Sequence, residues 1–124
     1  MTDFGRRFDR FVDRGNVTAW DWRASGLTHD DNWHDLDCSL IVPAGATLIL
    51  LQANIFDTSS GIYFFVRHPD LTGYGNWGRV YTQVGNLKTV ADLLIQCPAD
   101  RILEYKIDAD GLEACDLSVR GWFI

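Results

Sequence analysis

The stretch Gly73-Tyr74-Gly75-Asn76-Trp77-Gly78-Arg79 gathers two aromatic rings, an amide and a guanidinium in one segment. Sugars present flat C–H faces that pack on Trp and Tyr, while Asn and Arg bind their hydroxyls. A site of a few polar groups set among apolar walls is the usual logic of a small-ligand pocket. Tyr74, Asn76, Trp77 and Arg79 are therefore the candidate ligand-binding residues. Trp20, Trp22 and Trp33 form a second aromatic group nearer the other end of the chain. The competing reading for each Trp is packing, because Trp is highly buried on average.

Other chemistries find less support. His29-Asp30-Asp31-Asn32-Trp33-His34-Asp35 concentrates metal-capable groups, but zinc needs three or four convergent ligands and no further Cys or His stands at a suitable spacing. Asp108-Ala109-Asp110-Gly111, with Glu113 and Asp116, has the oxygen donors of a calcium loop without the EF-hand spacing. Asp-Gly between strands is chiefly a hairpin signal. Asp70, Asp92 and Glu104 have no motif partner that would mark a glycosidase pair. Cys38 and His34 share one strand face with no third member of a catalytic set. Gly73, Gly75 and Gly78 have the spacing of a dinucleotide fingerprint but no βαβ context. No catalytic residue, metal or cofactor is assigned, and the expectation is that the protein is not an enzyme. A small hydrolase with an unseen carboxylate pair is the last-ranked alternative.

The 124-residue chain has the size of one domain, with 47% hydrophobic and 23% charged residues. Its net charge of −6 disfavours nucleic acid, whose phosphates demand a basic patch. Arg6, Arg7, Arg10 and Arg14 alternate with Asp3, Asp9 and Asp13, as on a solvated helix face. No apolar run is long enough to cross a membrane as a helix, and the N-terminus lacks a signal peptide's apolar region. Synthesis in a cytoplasm is expected. Cys38, Cys97 and Cys115 suggest neither a disulfide framework nor a zinc ribbon and read as small buried hydrophobes.

The positioning elements are strands. Residues 34–41, 47–56, 61–67, 79–85, 88–97, 101–107 and 113–124 read as strands separated by Gly, Pro, Asn and Asp clusters, with a short candidate from Val17 to Arg23. Leu117, Val119 and Phe123 alternate with Ser118, Arg120, Trp122 and Ile124, which predicts a strand held inside a sheet. Phe4, Phe8, Phe11 and Val12 fall at helical spacing, with Asp3 as N-cap and Gly15 as stop, predicting a helix over residues 3–14. The first half of Thr47–Phe56, and Ile62–Val66, are apolar on both faces, which calls for cover on the outer side; another subunit is favoured over one short helix. Residues 68–78 form a loop too long for a hairpin turn, the kind that usually carries function.

Ile41-Val42-Pro43-Ala44-Gly45-Ala46, Arg101-Ile102-Leu103-Glu104-Tyr105-Lys106 and the terminal Asp116–Ile124 resemble small jelly-roll head domains at the tips of bacteriophage tail fibres and in related virion proteins. The resemblance covers residues 33–124, the predicted head domain, with 1–32 as a lead-in. It implies a homotrimer that recognises a cell-surface ligand, often a glycan, as part of a virion. The expected fold is an all-β, jelly-roll-like antiparallel β-sandwich with a short N-terminal helix. The expected function is a non-enzymatic, lectin-like binding module. The alternative is a structural, decoration-like protein docked on a larger particle through its N-terminal helix.

Overall fold

The computed structural model describes residues 10–124. Eight strands, β1 (Phe11–Asp13), β2 (His34–Asp37), β3 (Leu48–Phe56), β4 (Tyr63–Arg67), β5 (Gly78–Tyr81), β6 (Thr89–Gln96), β7 (Ile102–Ile107) and β8 (Ala114–Phe123), form two four-stranded sheets. Sheet A has the order β1-β8-β3-β6 and sheet B the order β2-β7-β4-β5. Every pairing is antiparallel. The fold is an all-β sandwich.

Alternation places the core. In β3, Ile49, Leu51, Ala53 and Ile55 face inward and are fully buried, while Leu48, Leu50, Gln52, Asn54 and Phe56 face outward and are half-buried. Phe64 and Val66 of β4, Leu103, Tyr105 and Ile107 of β7, and Leu117 and Val119 of β8 complete the interior. Gly78 opens β5 where it meets β6: a methyl group there would lie 2.6 Å from Ile95 Cδ1. Only glycine lets the two sheets approach at this corner.

The terminal strand is interior, between β1 and β3, but its faces are not those simple alternation predicts. The β3–β8 register shifts between Leu50 and Leu51, which pair with Gly121 and Val119. Arg120 is the extra residue of a β-bulge. Beyond it the faces exchange: Trp122 packs toward the core, and Phe123 turns outward beside Phe11, ring centroids 5.2 Å apart. The ring of Phe11 lies over Gly121, where a Cβ would overlap it.

Two further expectations are corrected. Residues 11–13, placed in the N-terminal helix, are instead edge strand β1, paired with Gly121, Trp122 and Phe123. The β8 edge supplies backbone partners that a marginal helix lacks. Arg10 and Arg14 flank the strand and bond Ile124 and Arg120 through their backbones, and residues 3–9 of that helix lie outside the described residues. Val17–Arg23 is no strand; only Trp22 makes an isolated bridge, to Leu117. For β4 the outer cover comes from the chain itself: Phe65 faces outward yet is buried beneath aromatic side chains, including Tyr74 and Trp77 of the 68–77 loop.

Cys38 and Cys115 are fully buried and Cys97 is half-buried, all as free thiols. Burial pushes Cys38 and Cys115 up from 9.0 to about 12. A raised thiol contributes stability that is fully present below the ordinary thiol pKa and is lost as pH climbs through the folded value. Each thiol should therefore withdraw on the order of 4 kcal/mol between about pH 9 and 12. Urea midpoints followed over that range should fall steeply for the wild type and less steeply for a Cys38→Ala/Cys115→Ala variant. Parallel pH curves would contradict the assignment.

Candidate functional site

The outer face of sheet B carries a continuous aromatic–cationic layer. Outward side chains come from β4 (Tyr63, Phe65, Arg67), β5 (Arg79, Tyr81), β7 (Glu104, Lys106) and the segment before β2 (Trp33). The loop after β4 lays Tyr74 and Trp77 over them through a 3-10 turn at Tyr74–Asn76. Tyr63 stacks on Phe65 at 4.2 Å, and Trp33 meets Trp77 edge-on at 4.9 Å. Edge-to-face and offset contacts of this kind are the favoured aromatic geometries.

Cations lock the layer. Arg67 stands 3.8 Å over the Trp33 ring while its Nε donates to Glu104 Oε1 at 3.1 Å. Lys106 Nζ lies 5.0 Å from the Trp33 centroid and 5.6 Å from that of Trp77. A cation over an indole gains more when partly desolvated, and the Arg67 side chain is only 12% exposed.

The four sequence-derived residues divide by role. Trp77 is enclosed by Trp33, Phe65 and Tyr74, and its buried Nε1 has no hydrogen-bond partner among the described residues. Tyr74 is the open member, 50% exposed, with the Arg79 guanidinium 4.0 Å above its ring. Its hydroxyl shares a 3.0 Å hydrogen bond with that of Tyr81. That bond and the Arg79 charge lower the Tyr74 phenol below its ordinary pKa, and the same bond holds Tyr81 above it. Asn76 is exposed at the end of the 3-10 turn, its N–H donating to the Gly73 carbonyl. The surface offers one open aromatic ring, a guanidinium, two phenols and an amide.

The second aromatic group is dispersed. Trp33 belongs to the sheet B layer, Trp22 packs against the core, and Trp20 lines a cavity on sheet A. The sequence carries no local sign that Trp33 and Trp77 meet, because antiparallel pairing in sheet B brings them together.

Metal-capable residues have other work. His29 Nδ1 accepts from the Leu112 N–H and Nε2 donates to the Ala24 carbonyl, which fixes the ring's orientation. His34 Nε2 bonds Asp30 at 2.8 Å and lowers that carboxyl's pKa. Asp108 caps its own turn, accepting from the Asp110 N–H. Among the described residues no three such side chains converge, and no helix is long and apolar enough to cross a membrane.

Sequence reasoning missed the outer face of sheet A. Residues Gly15–Trp20 loop out between two anchors on the β8 edge. Arg14 forks onto Asp21 at 2.5 and 2.9 Å. Arg14 Nη1 also donates to the Val119 carbonyl at 3.0 Å, and Asp21 Oδ2 accepts from the Val119 N–H at 2.9 Å. The two side chains thus replace the strand that would otherwise pair with Val119. Behind the loop lies a cavity of about 450 Å³, lined by residues including Asn16, Thr18, Trp20, Arg23, Gln52, Ser118 and Arg120. The signal available in the sequence was the Arg14/Asp21 pair flanking a turn-rich stretch.

Comparison with known proteins finds no family model, curated protein or solved structure that the chain matches.

Proposed function

We propose that the protein is a non-enzymatic binding module of jelly-roll type. It works as a homotrimer on a virion or comparable particle and recognises a carbohydrate through Tyr74, Asn76, Trp77 and Arg79. The observation that carries this reading is the half-exposed Tyr74 ring, backed by Trp77 and stacked with Arg79 on the outer face of sheet B. The layer beneath holds these groups in place before any ligand arrives, which lowers the ordering cost of binding.

Connectivity supports the jelly-roll part. The pairs β1–β8, β2–β7, β3–β6 and β4–β5 nest one inside the next, as when one long hairpin is wrapped across two sheets. Lectin and capsid domains use such double-sheet rolls. Support for self-association comes from sheet A, where Phe11, Phe123, Leu48, Leu50 and Leu94 form adjoining apolar rows on the outer face. Leu94 is 52% exposed there. A mass near three times 14.1 kDa by light scattering is expected; a monomer would contradict the trimer.

Tyr74→Ala is the cleaner functional test, because truncating an exposed ring spares the packing that Trp77 provides. On a glycan array, binding by the variant should fall at least about tenfold, about 1.4 kcal/mol, with the thermal midpoint nearly unchanged. Trp77→Ala should lose binding and stability together. Retention of full binding by Tyr74→Ala would reject this surface.

The same apolar rows also favour a second reading, a structural or decoration-like protein that docks a larger particle through sheet A. Loss of particle association in Leu94→Lys, with glycan binding absent throughout, would select it.

A further inference from the structure

We infer that the cavity beneath the 15–20 loop is a second binding site, for a small acidic saccharide such as a uronic acid. It lies on sheet A and stands independently of the sheet B surface.

Charge comes first. The chain carries a net −6, yet this cavity is lined by two guanidiniums, Arg23 and Arg120, and by no carboxylate. Among the described residues neither Arg makes an ion pair; those formed join Arg14 to Asp21, His34 to Asp30 and Arg67 to Glu104. Arg120 is aimed here by the bulge, which puts one extra residue into β8 and turns its side chain to the outer face. Asp13 and Asp92 line the adjoining cavity, which shares Arg120 and Gln52. Arg120 thus faces both cavities, and neither of those carboxylates lines the cavity beneath the loop.

The remaining lining suits hydroxyls. Ser118 is 3% exposed and lines the cavity, but its side chain makes no hydrogen bond among the described residues. That hydroxyl is not among the fully buried unpartnered atoms of the described residues, so it is open to the cavity and can donate to, or accept from, a ligand hydroxyl. Gln52 is fixed at both ends of its amide, accepting from Asn54 Nδ2 and donating to Asp92 Oδ1. Its second N–H remains for a ligand. Thr18 and Asn16 add polar groups on the loop side, and half-buried Trp20 supplies the flat apolar wall for a sugar face. The volume is within the usual range for small-molecule sites, roughly 300–1,000 Å³. A guanidinium selects a planar carboxylate over a neutral group, and two line this cavity.

The test is titration of the 15N-labelled protein with sodium D-glucuronate, D-glucose and inorganic phosphate. Glucuronate should bind at least about tenfold more tightly than glucose, with shifts at Trp20, Arg23, Ser118 and Arg120. Arg120→Gln and Ser118→Val should each weaken glucuronate severalfold. Lys88→Gln, which removes the same charge from an exposed loop, should not. Equal affinity for glucose and glucuronate would overturn the proposal. So would phosphate binding that matches glucuronate and ignores Ser118→Val, or unchanged glucuronate binding in Arg120→Gln. Absence of glucuronate binding at about 10 mM, a weak limit for any specific sugar contact, would overturn it equally.

Discussion

Replacing Asp21 by alanine should destabilise the protein by about 3 kcal/mol and abolish ligand binding at the sheet A cavity. The carboxylate accepts from both arms of Arg14 and from the Val119 N–H, and its side chain is only 12% exposed. Removal strands a mostly buried guanidinium and a backbone donor together. Breaking a buried charge pair by deleting one partner costs roughly 3–5 kcal/mol, and partial exposure places this one at the lower edge. Arg14→Ala should cost less, because Asp21 keeps its bond to Val119. The double variant should fall well short of the sum, since both residues act through one network. Urea unfolding measures all three. A loss under about 0.5 kcal/mol for Asp21→Ala, the range of an ordinary surface change, would mean that the clamp does not hold the loop.

The second large effect lies in the core and should leave both surfaces intact. Phe64 is fully buried in β4, opposite Ile107 and Val80 and stacked with Tyr105 at 6.4 Å. Phe64→Ala should cost about 3–5 kcal/mol, combining lost burial with an unfilled cavity. The folded fraction should still bind, because Phe65 and Tyr63, which face the other way, continue to support the aromatic layer. The contrast with Asp21→Ala separates a general stability defect from damage to a site. A small loss from Phe64→Ala, below about 1 kcal/mol, would mean that the sandwich interior is not packed as described.

Much of this architecture was legible because antiparallel strands announce themselves by period two and by the turns between them. β3 is the clearest instance: its burial alternates at every residue from Leu48 to Phe56. The predicted segments 34–41, 47–56, 61–67, 79–85, 88–97, 101–107 and 113–124 each contain or substantially overlap an observed strand. What failed did so for tertiary reasons. The stripe that included Phe11 and Val12 looked helical, yet the open edge of β8 recruits those residues as a strand. Alternation in the terminal strand breaks at Arg120, because a bulge is a property of two strands and leaves no mark in one. Phe65 sits on an outward position and is buried all the same, because the loop after its own strand folds back over it.

The candidate surface was legible in composition and not in geometry. Tyr74, Asn76, Trp77 and Arg79 are neighbours in sequence, and Arg79 does stack on Tyr74. Their division into an open ring and an enclosed one depends on Trp33, Arg67 and Lys106, which come from the segment before β2, from β4 and from β7. The sheet A cavity, hinted at only by Arg14 and Asp21 about a turn-rich stretch, escaped the sequence for the same reason. Its polar lining joins the 15–23 segment to Gln52, Ser118 and Arg120, and only the β1-β8-β3 order brings these together.

The most direct measurement is amide and indole chemical-shift mapping of the 15N-labelled protein with the tightest glycan found on an array. Shifts concentrated at Tyr74 to Tyr81, with the Trp33 and Trp77 indoles responding and Tyr74→Ala silencing them, are the predicted result. Shifts confined to sheet A, or no response from any glycan, would contradict recognition of a carbohydrate at the aromatic face of sheet B.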